Sequence, residues 1–94
     1  MKTLHLVLKA KWYTMIESGE KFEEYRENKP YWDIRILEKN GKIKHFDTVV
    51  FSYGYTKKRM AFRCDGIRLG RGRIDWGAPK YDKVFIISLG ERIY

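Results

Sequence analysis

The sequence predicts an α+β fold: a small, curled β-barrel of five to six short strands with one or two short helices. Three observations lead there. Apolar and polar residues alternate over several runs of five to eight residues, only two stretches carry helical spacing, and glycine, asparagine or proline stands at most boundaries. A barrel leaves the fewest strand edges open. At 94 residues and 44% hydrophobic content the chain can bury one core but hardly two, so residues 1–94 are expected to form a single domain. Aromatic residues, at 16%, supply enough bulky apolar surface to oppose disorder despite 34% charged residues.

Leu4, Leu6 and Leu8 alternate with His5, Val7 and Lys9, which predicts a first strand over 4–9. The apolar run from Met1 to Leu8 is too short for a signal peptide, and no stretch approaches the roughly 18 apolar residues needed to cross a bilayer. A cytoplasmic protein with no membrane association is the expectation. Trp12, Met15 and Ile16 then take the i, i+3, i+4 spacing of a helix over 11–18, stopped by Gly19, and these side chains are read as core.

Residues 21–26 predict a strand with Phe22, Glu24 and Arg26 on one face and Glu23 and Tyr25 on the other. Lys21 stands at the turn, free to lean either way, and Glu24 can pair with Arg26 beside Phe22. Pro30 opens a second helical turn through Tyr31, Trp32, Arg35 and Ile36, with Trp32 and Ile36 lidding the core, although Ile34 and Ile36 could also alternate in a strand. Asn40-Gly41 is a turn signal, after which Lys42 to Phe46 could form a short strand.

Residues 47–53 read as a central strand, with apolar groups on both faces. In the next strand, 59–69, Met60, Phe62 and Cys64 share a face, but Ile67 and Leu69 have the opposite parity, so Asp65-Gly66 should be a bulge that resets the phase. Gly70-Arg71-Gly72-Arg73 is flexible and basic, and Asp75 to Pro79 is a loop anchored by Trp76. The lysine and hydroxyl that complete a phosphate-binding P-loop are absent. Residues 83–89 form the most apolar strand and should be buried.

Twenty Lys and Arg against twelve Asp and Glu leave a charge of +8, which favours an anionic partner. Residues 55–73 hold seven bases and one acid, most of the excess. There Lys57, Lys58, Arg59, Arg63, Arg68, Arg71 and Arg73 could contact phosphates while Tyr53, Tyr55 or Trp76 stacks on a base. The bland alternative is a solubilising face over core aromatics. Cys64 is the sole cysteine, which excludes an internal disulfide, and it shows no zinc-site spacing with His5 or His45. Neither a metal nor another cofactor is expected.

Lys9 at the end of a first strand, a short helix through Met15-Ile16, then Ser18-Gly19-Glu20-Lys21 and Glu24-Tyr25-Arg26 resemble the ASCH domain (activating-signal-cointegrator homology) of the PUA-like β-barrel superfamily. The likeness is clearest over residues 4–37 and rests on the order of strand, helix and Gly-x-Lys…Glu-x-Arg string. It implies a PUA-like barrel with a cleft into which Lys, Glu and Arg project, and an association with RNA or nucleotide metabolism. Some similar small bacterial members remove the acetyl group from N4-acetylcytidine, using a lysine at the position matching Lys21, a threonine at that of Glu24 and a glutamate from a later strand. This chain departs from that pattern: Glu24 replaces the hydroxyl, and the later stretches 47–55 and 59–69 hold only Asp47 and Asp65.

The leading expectation is therefore a module that binds RNA or a modified nucleotide or nucleoside. Its binding residues are Lys9, Lys21, Glu24 and Arg26 in the cleft, with Tyr55, Lys57, Lys58, Arg59 and Arg63 on the basic segment. The alternative is an enzyme, an amidohydrolase of N4-acetylcytidine-like nucleosides or another nucleic-acid-processing enzyme such as a ribonuclease, with Lys21 and Glu24 catalytic. A carboxylate paired with Arg26 serves better as an orienting acceptor than as an acid. An interaction module for an acidic protein partner fits the charge equally, and the oligomeric state is left open.

Overall fold

The computed structural model describes residues 2–94; Met1 lies outside the described residues. The strands β1 (Thr3–Leu8), β2 (Glu23–Glu27), β3 (Thr48–Tyr53), β4 (Arg59–Gly70) and β5 (Val84–Arg92) form one sheet in the order β1-β3-β4-β5-β2. Helices α1 (Ala10–Glu17) and α2 (Pro30–Ile36) follow β1 and β2, and a 3-10 turn at Ile74–Trp76 lies between β4 and β5. β1 runs parallel to β3, and the other pairings are antiparallel. The result is an α+β fold whose five strands curl into an open half-barrel. Its two edge strands come within reach of a single side chain, since Arg26 Nη2 of β2 donates to the Val7 carbonyl of β1 at 3.1 Å.

Alternation places the strands as expected. Leu4, Leu6 and Leu8 turn inward from β1 and are buried, whereas His5 and Val7 face out. β5 is apolar throughout its first half because it has two cores to serve. Ile87 packs with Tyr13, Ile16, Phe51 and Met60 beneath α1, while Val84 and Ile86 pack with Tyr25, Trp76 and Ala78 under the β4–β5 connection. Each large aliphatic or aromatic side chain so withdrawn from water contributes about 1.5–3 kcal/mol before the entropy of ordering it is counted. The phase reset in β4 is a bulge: its register with β5 shifts on both sides of Cys64, and Gly66 takes a φ of 122° that favours glycine. The bend lets β4 pair first with β3 and then along β5, which curls the sheet.

Several local expectations are corrected. The buried face of α1 is Tyr13 and Ile16, with Trp12 and Met15 only half-buried, because Tyr13 sits edge-on against Tyr53 of β3 while Trp12 is drawn toward the β4–β5 connection. β2 begins at Glu23, and Phe22 does not share its face with Glu24 and Arg26. The Lys21 N–H is tied to the Met15 carbonyl at the end of α1, which delays the strand and leaves Phe22 57% exposed against the edge of Trp76. Lys42 to Phe46 form no strand, only a bridge between Leu37 and Ile43, since the amides of Glu38 and Gly41 are spent closing the turn. The second helix, by contrast, is as expected: Ile34 and Ile36 lie on it and not on a strand, with Ile36 buried and Trp32 packed on the core. No helix among the described residues is long and apolar enough to cross a membrane.

Candidate functional site

The seam where β1 and β2 fail to pair holds the most unusual group of side chains in the molecule. β1 ends at Leu8 and the chain turns straight into α1 through Lys9. α1 ends when Gly19 adopts a φ of 87°, with its N–H on the Ile16 carbonyl. That tight reversal, with the Lys21 N–H on Met15, aims Lys21 back under the helix rather than out to solvent. β2 then presents Glu24 and Arg26 two residues apart on the same side.

Lys21 is 1% exposed and Glu24 5% exposed. The Lys21 ammonium donates to Glu24 Oε1 at 2.7 Å and to the Trp76 carbonyl at 2.6 Å, and lies 4.5 Å from the Trp12 ring centroid. Arg26 Nη1 donates to Glu24 Oε2 at 2.6 Å and to the Tyr25 carbonyl at 2.7 Å, and its guanidinium lies 5.1 Å from the Trp32 ring centroid. One carboxylate thus takes a cation on each oxygen, in the short geometry of charge-assisted bonds. Burial holds the Lys21 amine below its ordinary lysine range; Glu24 pulls it back up, and Arg26 pushes it down again. Beside them Tyr25 donates to Glu23 at 2.7 Å, and burial together with that bond raises its phenol well above the usual value.

These groups line a cavity of about 210 Å³ together with Val7, Leu8, Lys9, Trp12, Tyr25 and Gly77. Its far wall belongs to the β4–β5 connection. Gly77 is required there on two counts: its φ is 90°, and a Cβ would lie 2.7 Å from the Trp12 ring. Lys21 has three N–H groups and the Arg26 guanidinium five, so one on Lys21 and two on Arg26 remain after the bonds described. Glu24 keeps a second lone pair on each oxygen. The lining therefore offers donors to carbonyl or anionic oxygens and an acceptor to an N–H, beside an indole face.

The fold brings Lys9, Lys21, Glu24 and Arg26 to this one cavity. Tyr55, Lys57, Lys58 and Arg59 lie instead in the β3–β4 hairpin, where Tyr55 is 98% exposed, and Arg63 lies on the outer side of β4; none of them lines the cavity. Tyr53 packs against Tyr13, and Trp76 is buried between Phe22 and Arg73, so neither ring is open for stacking. Folding also changes the basic segment, because carboxylates from outside it arrive opposite four of its seven cations. Lys58 meets Glu17, Arg68 meets Glu23, Arg71 meets Asp82 and Arg73 meets Asp75.

Trp12 is the cleft residue that periodicity assigned to the core, and a tryptophan at the first turn of a helix beside a lysine-terminated strand was the available signal. The Trp76 carbonyl and Gly77 had no signal, being a backbone group and a close approach 55 residues from Lys21. A larger cavity, about 880 Å³, lies between α2 and the 38–44 turn, but the buried ion pairs are not part of it. Among the described residues no three of His, Cys, Asp and Glu converge where they could hold a metal ion. No protein-family model matches the chain, and no curated protein matches it in sequence. The curled half-barrel with two helices is consistent with a PUA-like shape and resembles nucleic-acid-binding β-barrel domains.

Proposed function

We propose that residues 1–94 form a single ASCH-type domain that binds RNA or a modified nucleotide by taking a base into the seam between β1 and β2. The observation that carries this reading is the convergence of Lys9, Lys21, Glu24, Arg26 and Trp12 on one small cavity. Drug-sized ligands occupy roughly 300–1,000 Å³; a cavity of about 210 Å³ suits a single heterocycle. Glu24 accepts from an exocyclic amine or ring N–H, the spare N–H groups of Lys21 and Arg26 meet carbonyl oxygens, and Trp12 supplies the aromatic contact.

Titration with cytidine and with short single-stranded RNA, followed by tryptophan fluorescence, tests the reading. Saturable binding is expected, and Glu24→Gln should weaken it by about ten- to hundredfold, the worth of one charge-assisted hydrogen bond of roughly 1.5–3 kcal/mol. An affinity indifferent to Glu24→Gln, or no saturable binding at low salt, overturns it. One observation favours an enzyme as the second reading: burial makes the Lys21 ammonium easier to deprotonate than that of an ordinary lysine, so more of it can act as the free amine. Both Glu24 oxygens are engaged by cations and no hydroxyl stands in its place, so release of cytidine from N4-acetylcytidine, or cleavage of the RNA, should not be seen. Turnover that Lys21→Ala abolishes would reverse the ranking of the two readings.

A further inference from the structure

The first turn of α1 breaks the usual rules of helix construction beside the cavity. The residue before the helix is Lys9, where Ser, Thr, Asp or Asn is preferred, and its side chain makes no capping bond. No acid stands in the first turn, while Lys9 and Lys11 place two cations at the positive end of the helix dipole. Each such placement is unfavourable by itself. Neither lysine has a carboxylate partner among the described residues, although Lys58, Arg68, Arg71 and Arg73 all do. Other unpaired lysines, such as Lys39, Lys42, Lys57 and Lys80, neither line the cavity nor lie over a ring that lines it, as Lys11 does over Trp12.

Position separates Lys9 and Lys11 from those others. Lys9 is part of the cavity wall. The Lys11 ammonium lies 4.7 Å from the centroid of the same Trp12 ring that Lys21 approaches at 4.5 Å. Lys11 and Lys21 are therefore no farther apart than the sum of those two distances, one exposed and one buried. An anion attached to whatever group occupies the cavity would meet Lys9 in its wall, with Lys11 on the Trp12 ring that also lines it, neither of them paired with a carboxylate among the described residues.

We propose that Lys9 and Lys11 grip the phosphate of a phosphorylated nucleotide whose base lies in the cavity, so that the ligand is a nucleotide, free or within a single strand, and not a bare nucleoside. This rests on the base-binding reading of the cleft. It moves the phosphate contact from the basic β3–β4 hairpin to the first turn of α1. The unfavourable charge arrangement of the free helix is relieved when the phosphate arrives, which turns a stability defect into phosphate selectivity.

The experiment compares cytidine with cytidine monophosphate, and then a labelled single-stranded oligocytidylate, on wild type, Lys11→Glu and the triple Lys57→Ala/Lys58→Ala/Arg59→Ala variant. Wild type should prefer the monophosphate by roughly ten- to hundredfold, the range of a charge-assisted contact. Lys11→Glu should lose most of that preference while holding cytidine as before. Its melting temperature should be unchanged or higher, because an acid now stands in the first turn; a folding defect is thereby separated from a lost contact. On the oligonucleotide, Lys11→Glu should flatten the salt dependence by about 0.7 in log–log slope for a phosphate contact removed, and the triple variant should leave the monophosphate preference intact. Binding of the oligonucleotide without the monophosphate would place the phosphate within a strand, and binding of both would admit the free nucleotide. Equal affinities for cytidine and its monophosphate, or a preference that survives Lys11→Glu, would overturn the phosphate grip and leave the base pocket standing. If cytidine, the monophosphate and the oligonucleotide all fail to bind, the reading of the cleft has failed and this inference with it.

Discussion

Glu24→Ala tests whether the seam is held together by its ions. The substitution removes the acceptor 2.7 Å from Lys21 and 2.6 Å from Arg26. Lys21 is left, almost fully out of water, with the Trp76 carbonyl as its one remaining acceptor among the described residues and with the Arg26 guanidinium as a like-charged neighbour. Breaking a buried pair from one side typically removes about 3–5 kcal/mol, a large fraction of the roughly 5–15 kcal/mol that holds a domain folded. Glu24→Gln keeps the shape and one acceptor, so its loss should be nearer 1.5–3 kcal/mol. Lys21→Met leaves Glu24 paired with Arg26 and replaces the buried stem with apolar atoms, so it should be the mildest of the three. Combining Lys21→Met with Glu24→Ala should then lose less than the two singles added together, with a coupling of about 1–3 kcal/mol.

Urea unfolding followed by tryptophan emission measures all of these, and the salt dependence separates a buried pair from a solvated one. Screening reaches exposed charges within about 10 Å at 0.1 M salt and buried ones much less, so the loss in Glu24→Ala should persist in high salt. A loss below about 1 kcal/mol is what an exposed pair gives. That result, or a loss that salt abolishes, or strict additivity of the two singles, would show that Lys21 and Glu24 do not act as a buried pair.

Two further outcomes follow from buried groups. Tyr13 is fully buried and its hydroxyl has no hydrogen-bond partner among the described residues, so Tyr13→Phe should raise stability by about 1 kcal/mol in the same urea assay, and a comparable loss would reveal a bond at that oxygen. Burial lowers the proton affinity of Lys21 in the folded state, so between its folded value and the ordinary lysine value of 10.5 the unfolded chain holds more protons, and stability rises with pH. Wild type should therefore gain on Lys21→Met as pH climbs from neutral toward 10.5, the tyrosine and cysteine titrations being common to both; a gap that stays constant or moves the other way would mean Lys21 keeps an ordinary amine.

Local pattern carried most of the fold into the sequence. Alternation in β1 and β3, the parity slip at Asp65-Gly66 and the doubly buried β5 could each be read because strand faces repeat every two residues and a bulge must break that repeat. The errors came where a distant contact outweighed the local one. Phe22 has the spacing of an inward residue, yet the bond from Lys21 N to Met15 O shifts the start of β2 and turns it out. Trp12 has the spacing of a core residue, yet Gly77 and Lys21 hold it at the cavity. The charge of residues 55–73 was legible as composition but not as a field, since Glu17, Glu23 and Asp82 reach it only through the fold.

The position of the site follows from how the sheet ends. Completing the barrel would need backbone hydrogen bonds between β1 and β2, and a closed ladder would leave no entrance. One side chain from β2 spans the gap in their place: Arg26 bonds the Val7 carbonyl across the seam while also holding Glu24 and its own strand's Tyr25 carbonyl. Charges placed there are expensive to bury, and apolar residues of similar volume would close such a gap at equal or greater stability. A seam built from a lysine, a glutamate and an arginine therefore gives up stability that a purely structural closure would keep. What it retains is a set of polar atoms that a ligand can recruit, Arg26 foremost, because each of its bonds to a carbonyl can be exchanged for a bond to a stronger acceptor brought in by the ligand. The closure of the half-barrel and the occupancy of the cavity are in this way coupled through one guanidinium.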